Sequence, residues 1–218
     1  MARRLSLYQH VLEQPIRPLA RLAMAAAMAA MLGAFAWPLW TMSFESNQYP
    51  DPLRLAIHVD HLEGQKTELR DDLREINSLN HYIGMRPLLE SDFSEFLWMP
   101  FVIGFFILII LRAVVFGTVR DLIDVTVLFV YFGLFSAWDF WHRLHGYGHN
   151  LAPDAAITVE PFTPPFFGRV KVANFWIESF PGGGSYALAA AGALLVTALV
   201  IALVRARREA RRDAAAAL

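Results

Sequence analysis

The chain has 218 residues, 56% of them hydrophobic, with a formal net charge of −1 and a mean hydropathy of +0.39. Soluble domains are roughly half apolar, so this chain is too apolar for one, and a nucleic-acid partner would call for a basic surface it lacks. Without cysteine it has no disulfide, thiolate zinc site, iron–sulfur cluster or c-type haem attachment, which leaves His, Met, Asp, Glu and backbone oxygen to hold any metal.

The apolar residues gather in blocks. Residues 1–21 form a short basic segment with four Arg and one Glu. Residues 22–42 then make an apolar run close to the ~20 residues that span a bilayer. The run is longer than the core of a cleaved leader and no clear small-residue cleavage site follows, so it reads as a signal anchor that stays. Further spans are expected at 97–116, 122–141 and 185–205, followed by a basic tail, 206–218. Trp37, Trp40, Trp98, Trp138, Trp141 and Tyr186 cluster at one set of span ends, like an interfacial aromatic belt.

Loop charge sets the expected orientation. Residues 43–96 hold eleven acids against five bases, whereas the tail from Arg205 carries five Arg, one Glu and one Asp. Lys and Arg collect on the cytoplasmic side, so both termini are expected inside. The loops 43–96 and 142–184 then share the outer face. The expected fold is mainly α and integral to the membrane, with four spans and an extracytoplasmic cap made of the two loops. In the first loop, residues 53–61 alternate like a strand. Residues 67–83 read as an amphipathic helix, with Thr67 as N-cap, an apolar stripe through Leu69, Leu73, Ile76, Leu79 and Ile83, and Gly84 as its stop. The second loop, rich in Pro, Gly and aromatic residues, reads as extended and packed.

Six of the seven histidines lie in these two loops or at their edges. His81 and Met85 fall one helical turn apart, an imidazole beside a thioether, which suits Cu(I); alternatively Met85 fills a gap and His81 is an interfacial polar residue. His142 and His145, three apart, could face one ion. Gly146 and Gly148 are then expected to break the helix, leaving His149 in the turn beyond. Asp139 could orient an imidazole or ligate directly; the competing reading has these histidines at the headgroup boundary. On one continuous strand His58 and Asp60 would share a face and His61 oppose them, a poor geometry for chelation. No span carries an ionisable residue at its centre, which argues against transport. No nucleophile elbow, nucleotide loop or substrate pocket is legible, so a non-enzymatic role is expected, and no histidine pair inside the spans could clamp a haem.

The strings QYPDPLRLAIHVDHLEG, REINSLNHYIGM and DFWHRLHGYGHNLAPDAAI, with PPFFGRVKVANF behind them, resemble a family of small four-span bacterial membrane proteins. That family is associated with gene clusters for nitrous oxide reductase and the maturation of its copper site. The resemblance runs from Trp40 to Gly184, and INSLNHYIGM is its most specific piece. Its polar pattern falls on Asn80, His81, Tyr82, Met85, Asp139, Tyr147, Gly148, His149 and Asn150, and omits His58, His61, His142 and His145. It implies an accessory role in the assembly or support of a periplasmic copper enzyme, a pathway more than a mechanism. It meets the reading of the residues at His81, Met85 and His149, which are expected to hold copper in passing if the two loops pack together. The alternative is a metal-free docking subunit of a membrane redox or maturation complex, its aromatic loops serving as protein contacts. The expected partners are the bilayer and a periplasmic or membrane protein.

Overall fold

The computed structural model describes residues 9–172 and 174–216. Four helical segments are long and apolar enough to cross a membrane: Pro18–Ala36, Glu95–Phe116, Val119–His149 and Gly183–Glu209. This is the pattern of a multi-pass membrane protein. The chain divides into two compact units, one built from the segments up to Gly33, Phe101–Gly133 and from Ala187 onward, the other from Ala34–Pro100 and Leu134–Tyr186.

The first unit is built mainly from packed helices. Helix α1 (Pro18–Met31) starts on a proline, whose missing N–H costs nothing at a helix start. It buries Ala20, Met24, Ala27 and Met31, one stripe at spacings of three and four. The α4 helix (Glu95–Phe116) buries Ile103, Phe106, Ile110 and Ala113. In α5 (Val119–His149) the buried positions here are Val119, Leu122, Val125, Thr126 and Phe129, and in α6 (Gly183–Ala216) they are Ala191, Leu195, Ala198, Ala202 and Ala206. The alanines let helix backbones approach closely, as membrane helices do when burial from water cannot drive association. Phe106 meets Phe129 edge to face at 5.3 Å. Leu22, Phe101, Leu108 and Phe116 are each more than 60% exposed, and a soluble protein does not present so much apolar surface. At the junction of α4 and the next helix Arg112 meets Asp121 at 3.3 Å, and Asp121 also accepts from the Thr118 backbone N–H.

The second unit holds a five-stranded antiparallel sheet that the sequence reading lacked, in the order β3-β2-β1-β5-β4. Its strands are β1 (Trp40–Glu45), β2 (Leu53–Ile57), β3 (Leu62–Gly64), β4 (Gly168–Val172) and β5 (Phe175–Pro181). The first expected span, 22–42, is therefore shorter: after the brief α2 (Gly33–Ala36) the chain leaves the helix, and Trp40–Met42 open β1. In register Trp40 faces Ile57 on one side and Pro181 on the other. The Trp40 indole N–H donates to the buried Ser179 hydroxyl at 2.8 Å.

One face of this sheet carries the core of the unit. Met42, Leu53, Leu55, Leu62 and Ile177 pack with Ile76 of α3 (Asp72–Tyr82) and Leu144 of α5. The amphipathic helix is thus real but shorter than 67–83. Asp71, not Thr67, caps it by accepting from the Arg74 N–H. Thr67 instead pairs with Arg70 in the turn before it. That turn exists because Asp72 is fully buried at the helix start: its oxygens accept from Arg70 Nε at 2.7 Å and the Arg54 backbone N–H at 2.8 Å.

Candidate functional site

The INSLNHYIGM segment is first a structural clamp. Asn77 accepts from the Leu88 N–H at 2.7 Å and donates to its carbonyl at 3.3 Å, so its amide pairs like a strand residue. Asn80, 6% exposed, donates to the Arg86 carbonyl. The Met85 N–H closes on the Asn80 carbonyl at 2.8 Å. Gly84 ends the helix with φ +78°, where a β-carbon would also sit 2.8 Å from the Ala152 carbonyl, so only glycine fits. These contacts leave His81 and Tyr82 exposed and Met85 half-buried.

The second histidine segment stays helical. α5 runs to His149, through Gly146 and Gly148, which therefore do not break it. Gly148 serves a different need: a β-carbon there would collide with the Phe162 carbonyl, and the Phe162 N–H bonds back to the Gly148 carbonyl. The imidazoles line up along the helix. His142 stacks on Trp138, and His145 lies between Trp141 and His149, with the His145 and His149 ring centres 3.7 Å apart. His142 and His145 thus lean on different indoles. His149 Nδ1 lies 3.0 Å from the His145 carbonyl; a carbonyl can only accept, so Nδ1 carries the proton of this bond. Asp139 is engaged with the Glu95 carboxyl. Arg143 grips that same carboxyl with two bonds of 2.8 Å and covers the Phe93 ring.

The two loops are tied together at the motif. The Ala152 N–H donates to the Gly84 carbonyl at 2.7 Å, the Ile157 N–H to the Tyr82 carbonyl at 2.9 Å, and the Arg86 guanidinium lies 5.3 Å from the centre of the Tyr147 ring. The stretch bearing His81 and Met85 and the stretch just past His149 therefore share one edge. Among the described residues, neither His81 nor His149 belongs to a cluster of three His or carboxylate ligands.

Among the described residues, one such cluster lies elsewhere: His58, His61 and Glu63, with a ligand atom from each within 4.8 Å of the others. Residues 53–61 are not one continuous strand. β2 ends at Ile57, Val59–Asp60 form a bend, and β3 returns antiparallel with Ile57 opposite Leu62. His58 and His61 consequently stand opposite each other, the His58 N–H bonding the His61 carbonyl at 2.9 Å. Side chains of directly opposed residues project from the same face, whereas a single strand would have put them on opposite faces. The available signal was Asp60, a turn former between two alternating stretches, with Gly64 beyond.

No family model, curated protein or solved structure matches this chain.

Proposed function

We propose that this protein is a membrane-embedded accessory factor of a bacterial inner membrane, with both termini cytoplasmic. It supports assembly of a periplasmic copper enzyme of the nitrous oxide reductase type, and His81, Met85 and His149 hold Cu(I) in passing. The observation that carries this reading is the pair of backbone bonds from Ala152 and Ile157 to Gly84 and Tyr82. They join the segment that carries His81 and Met85 to the chain that follows His149. Three neutral ligands of soft and intermediate character favour Cu(I), and an open, exposed site allows the ion to be handed on.

Titration of the detergent-purified chain with Cu(I), against a chromophoric Cu(I) competitor, tests it. One ion per chain is expected, with at least tenfold weaker binding in His81→Ala and in Met85→Ala. Equal binding by the wild type and a His81/Met85/His149 triple alanine variant defeats the copper role.

A second reading, a metal-free docking subunit, draws on the sheet edge. Phe167 is 64% exposed and Trp176 42% exposed, and Arg169 and Lys171 flank the Trp176 indole. Aromatic and Arg side chains of this kind anchor protein contacts. A partner that co-purifies with the chain at full occupancy in the triple variant favours it.

A further inference from the structure

We infer that His58, His61 and Glu63, at the tip of the β2–β3 hairpin, bind a divalent transition-metal ion of borderline softness, of the Zn(II) class. This site shares no residue with the copper reading above and does not depend on it.

The hairpin builds the site from strand geometry alone. His58 and His61 oppose each other across the bend, and Glu63 lies two residues beyond His61, on the same face. The residue opposite Glu63 is Ala56, whose single methyl leaves the carboxylate free to lean diagonally onto His58. The lean is observed: His58 Nε2 lies 3.0 Å from Glu63 Oε2. The two imidazole rings stack nearly parallel, 3° apart with centres at 4.4 Å.

Donor state follows from the neighbours. His61 Nδ1 lies 2.7 Å from Asp60 Oδ1. A carboxylate only accepts, so it holds the proton on Nδ1 and leaves Nε2 as a lone pair, the arrangement in which a carboxylate orients a metal-bound histidine. When an ion takes the place between His58 Nε2 and Glu63 Oε2, the imidazole proton moves to Nδ1. The ring stays neutral and the carboxylate becomes a ligand.

Two imidazoles and one carboxylate make a nitrogen–oxygen set without sulfur. It suits Zn(II) and related divalent ions, not Cu(I). Mobility is distributed to match. The His58 side chain is 15% exposed and fixed, while those of His61 and Glu63 are 46% and 63% exposed and can close the last part of the distance to the ion. Three protein ligands at an accessible tip leave the fourth tetrahedral position to water or to a ligand from another molecule. The tip is held in place, since the Leu62 N–H donates to Glu90 at 3.0 Å and Val59 is buried.

The test is titration of chelator-stripped, detergent-purified full chain with Zn(II) against a chromophoric chelator. One tight Zn(II) per chain is expected. His58→Ala and His61→Ala should abolish that binding. Asp60→Asn, which removes only the orienting carboxylate, should weaken it about tenfold to a hundredfold. Glu63→Gln alters an exposed side chain, so it tests the ligand set even where a histidine variant is unstable; it too should lose tight binding. His81→Ala should leave Zn(II) affinity unchanged, which separates this site from the copper reading. The inference is overturned if wild type binds no more Zn(II) than the His58/His61 double alanine variant, if Glu63→Gln binds like wild type, or if His81→Ala removes binding equally.

Discussion

Asp72 is a carboxylate withdrawn from solvent, and each of its oxygens has a donor. Arg70 holds one and the Arg54 backbone N–H the other, while Arg70 also donates to the Asp51 carbonyl. One side chain thus fastens the start of α3 to β2 and to the loop before it. Removing Asp72 leaves the Arg54 N–H without its acceptor and the partly exposed Arg70 without its carboxylate, which costs about 1–3 kcal/mol. Asp72→Ala should lower the thermal midpoint of the purified protein, followed by near-ultraviolet circular dichroism; an unchanged midpoint would show that Arg70 finds another acceptor. Asn77 and Asn80 act at the same scale. In the sequence they sit beside His81 and look like part of a binding motif, yet their amides spend themselves on the backbone of Leu88 and Arg86. A carboxamide reads alike whether it meets a ligand or a peptide group, so the sequence left that choice open. Tyr49 is similar: its hydroxyl donates to Glu75, and burial followed by the adjacent carboxylate raises its pKa above that of an ordinary tyrosine.

The elements show how local signals mislead when a tertiary contact uses the same residue. Gly146 and Gly148 read as helix breakers, and glycine does cost roughly 1 kcal/mol against alanine inside a helix. The helix nevertheless continues to His149, because Gly148 admits the Phe162 carbonyl at a distance no β-carbon tolerates. The two glycines therefore separate in a simple comparison. Near Gly146 the nearest atom to an added β-carbon is the Asn150 amide at 3.8 Å, so Gly146→Ala should be neutral or stabilise by up to about 1 kcal/mol. Gly148→Ala must displace the strand-like segment through Phe162 and should destabilise by about 1–3 kcal/mol, with faster proteolysis between residues 150 and 165. Equal melting temperatures for the two variants would refute this division of roles. The hairpin gives the converse case: alternation across 53–61 correctly signalled strand, but the bend at Val59–Asp60 reversed the facing of His61 and so created the ligand cluster.

For the whole molecule, the proposed orientation makes a direct prediction. Periplasm-active reporters inserted in 43–96 or 142–184 should be active, and those fused after residue 205 inactive; the reverse pattern would remove the outer-face placement on which the copper reading rests. Sequence alone determined the four apolar helices and the amphipathic character of α3, because membrane-length apolar runs and a stripe at spacings of three and four are local properties. It also singled out the histidine-bearing segments. The five-stranded sheet was not legible. β1 merges into the end of an apolar run, β4 and β5 lie in a stretch rich in Pro, Gly and aromatic residues, and β1 pairs with β5 across some 140 residues of chain, as the Trp40–Ser179 bond shows. Strand pairing is a nonlocal choice, made by which edges can satisfy one another's backbone groups and which faces share a core. The same holds for the ligands: composition placed imidazoles in two loops, but only chain reversal and cross-strand register decided that His58, His61 and Glu63 would converge.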